Sequence, residues 1–293
     1  MSNVRSADQT ARYTTAELFD VQTYPLDQAD SPQYGAMVRE AIEGLTSDNC
    51  AQLENFIRPD ILAAMQQEAD ELSKEAVFHQ ANLNPYFTDA PEGTPADHPL
   101  NRFSPRRHGM VRGDRFARDG VIWSVFQNRD LCRFVAQALG YEQLHTYRDP
   151  YACTNVNVQP EGCEFAWHFD NNEFTVSFGL KQTDEGGEFE YVPNLRSRDD
   201  ENYDAVQKVL DGDRTNLRSL KLRPGDLQLF RGGYTLHRVT APKGGERQSL
   251  LLSYVTEPDD ITTSDKAIRI WGEAHPDHYA RDCQLAGAES ETP

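Results

Sequence analysis

Three short stretches carry side chains whose types and spacing could do chemistry: Trp167-His168-Phe169-Asp170, Leu236-His237-Arg238 and Arg247-Gln248-Ser249. Two imidazoles and one carboxylate form a face that holds a divalent metal such as iron and leaves other coordination positions open. His168 and Asp170 stand two residues apart, so on a β-strand both side chains leave by the same face. The third donor must come from elsewhere, and His237 lies in an equally strand-like segment. Ten residues further on, Arg247 and Ser249 again share a strand face. There a guanidinium can grip a carboxylate through two parallel hydrogen bonds, and the hydroxyl can add another. Each histidine alone is better read as a structural residue. The ordered set His-x-Asp, His, Arg-x-Ser is what points to a metal site with an anion site beside it.

A set drawn from three segments needs adjacent strands to assemble it. From residue 144 the pattern alternates over 144–150, 152–159, 164–170, 173–181, 187–193, 218–222, 226–231, 234–240 and 248–256. Pro160-Glu161-Gly162, Asp184-Glu185-Gly186-Gly187 and Arg223-Pro224-Gly225-Asp226 break it. Many short strands at this spacing predict a sandwich or jelly roll rather than alternating βαβ units. Residues 197–217 are polar, with a helical pattern at Tyr203, Val206, Val209 and Leu210, and read as an insertion between strands.

Upstream the period is helical. Tyr34, Met37, Val38, Ala41, Ile42 and Leu45 line one helix, and Thr46-Ser47-Asp48-Asn49 stops it. A second helical stretch is expected around Leu53 and Phe56. Pro59 can open a third, striped with Ile61, Leu62, Met65, Ala69 and Leu72. Val121 to Leu139 reads as one more, ending on Gly140. Residues 80–114 hold five prolines and little periodicity, the mark of a long functional loop. The resulting organisation is one domain: an arm over 1–30, helical support and the Pro-rich loop over 31–143, a strand-rich core over 144–256, and an extension over 257–293 that docks through Ile268, Ile270 and Trp271 before a frayed end.

The 293 residues suffice for a sizeable core without cross-links. Five cysteines show no paired metal spacing and read as reduced thiols, which with a start lacking the order of a secretory signal gives a cytoplasmic expectation. No apolar run approaches the roughly 18 residues of a membrane span. The net charge of −18 repels phosphate backbones, so neither nucleic acid nor membrane is an expected partner, while a cationic small molecule would be drawn in. No nucleophile elbow, phosphate loop or dinucleotide fingerprint is present. His275-Pro276-Asp277-His278 mimics a metal pair but lies beyond the strands, and His79, His98, His108 and His145 lack partners at meaningful spacing and read as surface or loop residues.

The pattern His168-x-Asp170, His237, Arg247-x-Ser249 across residues 145–256 resembles the iron(II)- and 2-oxoglutarate-dependent oxygenases. That resemblance implies a double-stranded β-helix, a cupin-like jelly roll, mostly β and buttressed by N-terminal helices. It implies His168, Asp170 and His237 as ligands of Fe(II), and Arg247 with Ser249 as the grip on 2-oxoglutarate, with O2 as the second cosubstrate and succinate and carbon dioxide as by-products. Asn155, Asn157 and Gln159 alternate onto one strand face, which makes Asn157 a candidate cosubstrate contact and Asn155 a candidate substrate contact; a satisfied polar pair inside the barrel is the alternative.

More narrowly, the N-terminal layout, the loop with Asn101-Arg102-Phe103 and the late Trp271 resemble oxygenases acting on free amino acids, lysine above all. That group includes radical halogenases, in which Gly or Ala replaces the ligand carboxylate. Asp170 is retained here, so the resemblance implies hydroxylation of an unactivated C–H bond. Arg106 or Arg107 would take a substrate carboxylate, Trp271 would wall the pocket, and the 80–114 loop would close over a small molecule. The competing readings are a hydroxylase of another metabolite or a peptide, and a non-catalytic jelly-roll binder.

Overall fold

The computed structural model describes residues 12–290. After α1 (Thr15–Leu18), α2 (Pro32–Ser47) runs from an Ser31 cap, and β1 (Cys50–Leu53) and α3 (Pro59–Ser73) follow. Next come β2 (Val77–Leu83), β3 (Ser104–Val111), α4 (Val121–Phe126) and α5 (Arg129–Leu139), the last closed by Gly140 in the left-handed region. The strand-rich core holds β4 (His145–Thr146), β5 (Thr154–Gln159), β6 (Phe165–His168), β7 (Thr175–Lys181) and β8 (Phe189–Val192). The helix α6 (Tyr203–Leu210) interrupts it, and β9 (Arg218–Leu220), β10 (Leu227–Phe230), β11 (Leu236–Val239), β12 (Arg247–Leu252) and β13 (Tyr254–Val255) complete it. Two helices end the chain, α7 (Ser264–Trp271) and α8 (Pro276–Ser290).

The strands form a seven-stranded sheet, ordered β1-β10-β7-β12-β5-β3-β2, and a four-stranded sheet, β6-β11-β8-β9. All their pairings are antiparallel. Consecutive strands from β5 to β12 fall alternately on the two sheets, except where β8 and β9 pair, which is the winding of a double-stranded β-helix. The expected jelly roll is present.

The large sheet has two chemically different faces. Val156, Val158, Val176, Phe178, Leu180, Leu227, Leu229, Leu250 and Leu252 point outward into one apolar cluster with the buried stripes of α2, α3, α4 and α5. The alternate residues of the same strands, Asn155, Gln159, Ser177, Gln228, Arg247 and Ser249, are also buried yet polar. Burying such groups is costly unless each finds a partner, and several pair inside the barrel, as Ser177 Oγ does by donating to Gln228 Oε1 at 3.1 Å.

Three expectations change. The stretch at Leu53 is a strand, because Cys50–Leu53 pairs with β10 at the sheet edge. Buried Asp226 holds that edge by accepting from Asn55 N (2.8 Å) and Gln52 Nε2 (2.7 Å). The 80–114 region is not one loop: β2 and β3 pair along its flanks and extend the sheet, leaving the connection 84–103. The helix expected from Val121 to Leu139 divides at Asn128, whose side chain accepts from Leu131 N and starts α5 afresh. The tail beyond Trp271 forms α8 as far as Ser290, pinned by buried His278 Nε2 against Asp149 Oδ2 at 3.1 Å, and the expected frayed end at 291–293 lies outside the described residues. The arm packs on the core at Phe19, fully buried, and at Tyr24, whose ring lies 4.9 Å from that of Phe56; residues 1–11 lie outside the described part.

Candidate metal centre

The two histidines meet across the small sheet. His168 ends β6, His237 lies on β11, and the register pairs them directly, with ring centroids 4.0 Å apart. Each Nδ1 lies 2.8 Å from a backbone carbonyl, Ala166 O for His168 and Thr235 O for His237. A carbonyl only accepts, so each Nδ1 carries the proton and each Nε2 presents a bare lone pair. Asp170 follows His168 at the strand end and sets Oδ1 3.5 Å from His168 Nε2 and 3.6 Å from His237 Nε2. Burial, and then the neighbouring His237, drives the His168 ring down to about 3, so it stays neutral at ordinary pH.

Three acceptor atoms thus converge within 4.8 Å of one another with no hydrogen between them. Lone pairs facing a carboxylate repel one another unless a cation sits among them, and this donor set suits a divalent ion with open positions. The residues fit a metal.

Asp170 is held by its surroundings. Its N–H donates to Gly232 O (3.0 Å), and Thr175 Oγ1 donates to its Oδ2 (2.7 Å). Gly232, in the turn between β10 and β11, makes the room: a Cβ there would stand 2.1 Å from Asp170 Oδ2 and 2.7 Å from Cγ. Neither Thr175 nor Gly232 carries a sequence signal: Thr175 reaches back to Asp170 from the start of β7, five residues on, and Gly232 acts from a turn distant along the chain.

The Arg247 and Ser249 pair expected to grip an anion lies on the large sheet. Arg247 is 5% exposed and sits opposite Gln159, with Nη1 donating to Gln159 Oε1 (3.1 Å) and Ser249 Oγ (3.3 Å). Its Nε has no partner, and no acidic side chain pairs with it among the described residues. Burial lowers the guanidinium to about 10, which still leaves it charged at neutral pH. A buried cation without a counter-ion is expensive, on the order of several kcal/mol, and an anion beside it would offset that cost. Asn157 lies opposite Ser249, and its Oδ1 is buried without a partner.

The remaining candidates separate. Arg106 points inward, its guanidinium 3.6 Å from the Phe165 ring centroid and 5.0 Å from that of Phe87. Arg107 is exposed on the opposite face of β3. Asn155 Nδ2 is engaged by Val111 O (3.1 Å) and Tyr151 O (2.8 Å), so it fastens the chain rather than facing a ligand. Trp271 stands edge-on to His79 at 6.1 Å and to Tyr151 at 6.3 Å. His108, read from sequence as a surface or loop residue, is instead 2% exposed inside the barrel, its ring 4.4 Å from Phe165.

The 84–103 connection lies over the centre. Tyr86 packs on Phe169 at 5.2 Å, and Phe87 places its ring 5.5 Å from that of His168. Phe87 does so at φ 54°, a left-handed conformation rare for a bulky residue. Such strain persists where the surroundings over-determine it, and here it holds a ring against a metal-site histidine.

A double-stranded β-helix with a 2-His-1-carboxylate centre inside it defines the iron(II)- and 2-oxoglutarate-dependent oxygenase class. More specifically, the family model described as HalD, Halogenase D, matches residues 35–271, and the chain belongs to that family. No curated protein matches it in sequence. Among solved structures, it is similar to AviO1 from Streptomyces viridochromogenes Tue57 (18% identity, 75% of this chain and 94% of that one, TM-score 0.50). It is likewise similar to SnoK, a non-heme alpha ketoglutarate dependent carbocyclase of nogalamycin biosynthesis (12% identity, 74% and 83% covered, TM-score 0.50). At these identities the likeness is one of fold.

Proposed function

We propose that the protein is a single-domain Fe(II)- and 2-oxoglutarate-dependent dioxygenase that hydroxylates an unactivated C–H bond of a small molecule carrying a carboxylate. His168, Asp170 and His237 hold the metal through Nε2, Oδ1 and Nε2. Arg247, with Ser249 and Asn157, holds the far carboxylate of 2-oxoglutarate. When bound, iron, 2-oxoglutarate and O2 together supply the oxidant that replaces C–H by C–OH, releasing succinate and carbon dioxide. The chain's own residues position and exclude. Ala166 O and Thr235 O fix the imidazole tautomers, Thr175 and Gly232 set the carboxylate, and Phe87 and Phe165 keep water from the side on which Arg106 faces inward.

The observation that carries hydroxylation, within a family named for halogenation, is Asp170. Its carboxylate completes the donor set, so the position that a halide would need is filled. Arg106 is the inward cation available for a substrate carboxylate, which supports a free amino acid. The surface charge of −18 favours the cationic ones, lysine first, then ornithine and arginine. Succinate formation across a panel of free amino acids, with mass spectrometry for gain of one oxygen atom, tests this reading. No coupled turnover with any cationic amino acid removes that substrate class, and chlorinated product in the presence of chloride removes the hydroxylase assignment.

A further inference from the structure

We propose that His79 and His108 form a recognition subsite, adjoining Arg106, for a carboxylate that bears an amino or hydroxyl group on its neighbouring carbon. This rests on the oxygenase reading of the centre and names the part of the substrate that stays away from the metal. His79 and His108 are register partners on β2 and β3, so their side chains share the inner face, with ring centroids 5.9 Å apart. Arg106 lies two residues before His108 on that same face. From His108 a run of ring contacts leads inward, 4.4 Å to Phe165 and 4.7 Å from Phe165 to His168, so the subsite opens toward the centre. Trp271 closes the other side against His79.

The hydrogen-bond inventory points to a ligand. His108 is 2% exposed, yet neither ring nitrogen has a partner; His79 Nε2 and Arg106 Nε are buried and unpaired as well. The other buried histidines behave differently: His168 and His237 are tied to carbonyls, and His278 to Asp149. A neutral imidazole offers one donor and one acceptor, and Arg106 offers donors only. A bare carboxylate would leave the imidazole acceptors unpaired, and a bare amine would leave Arg106 unpaired. A carboxylate with a neighbouring amine or hydroxyl pairs both sets.

The test is calorimetric titration of the iron- and 2-oxoglutarate-loaded protein without oxygen. The probes are L-lysine, its 2-hydroxy analogue and its counterpart with no substituent on that carbon. The wild type is expected to bind one of the first two more tightly than the third, and which one identifies the substituent. His108→Phe should weaken that ligand by about 10- to 100-fold while leaving the unsubstituted counterpart nearly unchanged, so discrimination collapses. His108→Gln, which keeps a donor and an acceptor, should restore part of it. If His108→Phe does not fold, His79→Phe carries the same comparison. Unchanged affinity for the substituted ligand, equal loss for both ligands, or a wild type that does not discriminate overturns the proposal. 2-Oxoglutarate binding, measured in the same protein, reports separately on the oxygenase reading.

Discussion

Gly232→Ala reaches the centre without replacing any proposed ligand. The added Cβ would stand 2.1 Å from Asp170 Oδ2, 2.7 Å from Cγ and 2.9 Å from Cβ, where ordinary contact begins at 3.4 Å. The carboxylate would therefore have to move by roughly 1.3 Å, against a tolerance of about 0.2 Å for a metal–ligand distance. Gly232 does not use a left-handed backbone conformation, so alanine brings no backbone penalty and the fold should survive. Loss of a supporting interaction at a metal site costs about 10- to 100-fold in affinity, and displacing the ligand itself should cost at least that, roughly 1.4–2.8 kcal/mol. Anaerobic Fe(II) titration against a competing chelator measures it, with circular dichroism as the check on folding. A folded Gly232→Ala protein with wild-type iron affinity would refute the placement of Asp170 as a ligand packed against Gly232.

Three other perturbations follow from the same geometry. Asp170→Gly should abolish hydroxylation and open a position for chloride, read by product mass spectrometry; hydroxylation at the wild-type rate would show that Asp170 is not a ligand. Arg247→Met should weaken 2-oxoglutarate on the order of 2–5 kcal/mol by leaving its carboxylate desolvated and unpaired, measured by anaerobic titration, and unchanged binding would remove Arg247 from that role. Asp226→Ala should cost about 2–4 kcal/mol of stability by denaturant unfolding, because Asn55 N and Gln52 Nε2 lose the acceptor that ties β1 to the sheet; iron affinity should be unaffected.

The core strands were legible in the sequence because their outward residues are apolar and period two shows through. That signal fails in β2 and β3. Their inward residues, His79, Arg106 and His108, are polar because they face the barrel interior, and β2 exposes much of its length at the sheet edge. β1 was hidden for another reason: Cys-Ala-Gln-Leu has no β-branched residue, and its strand state is set by Asp226, far along the chain. The triad could be read because His168 and Asp170 lie together and His237 and Arg247 follow in order. The His79–His108 pair and Gly232 could not, since each meets its neighbours only through strand register or a turn from elsewhere. The choice between Arg106 and Arg107 is a matter of which strand face each occupies, and β3 had first to be recognised as a strand.

The central claim is that three convergent lone-pair donors and a buried, unpaired arginine form one iron and 2-oxoglutarate site. Adding Fe(II) and then 2-oxoglutarate to the oxygen-free protein tests it most directly through visible absorption. The account predicts a metal-to-ligand charge-transfer band that requires both additions, disappears in His237→Ala and needs much more 2-oxoglutarate in Arg247→Met. A folded wild-type protein that develops no such band would contradict it.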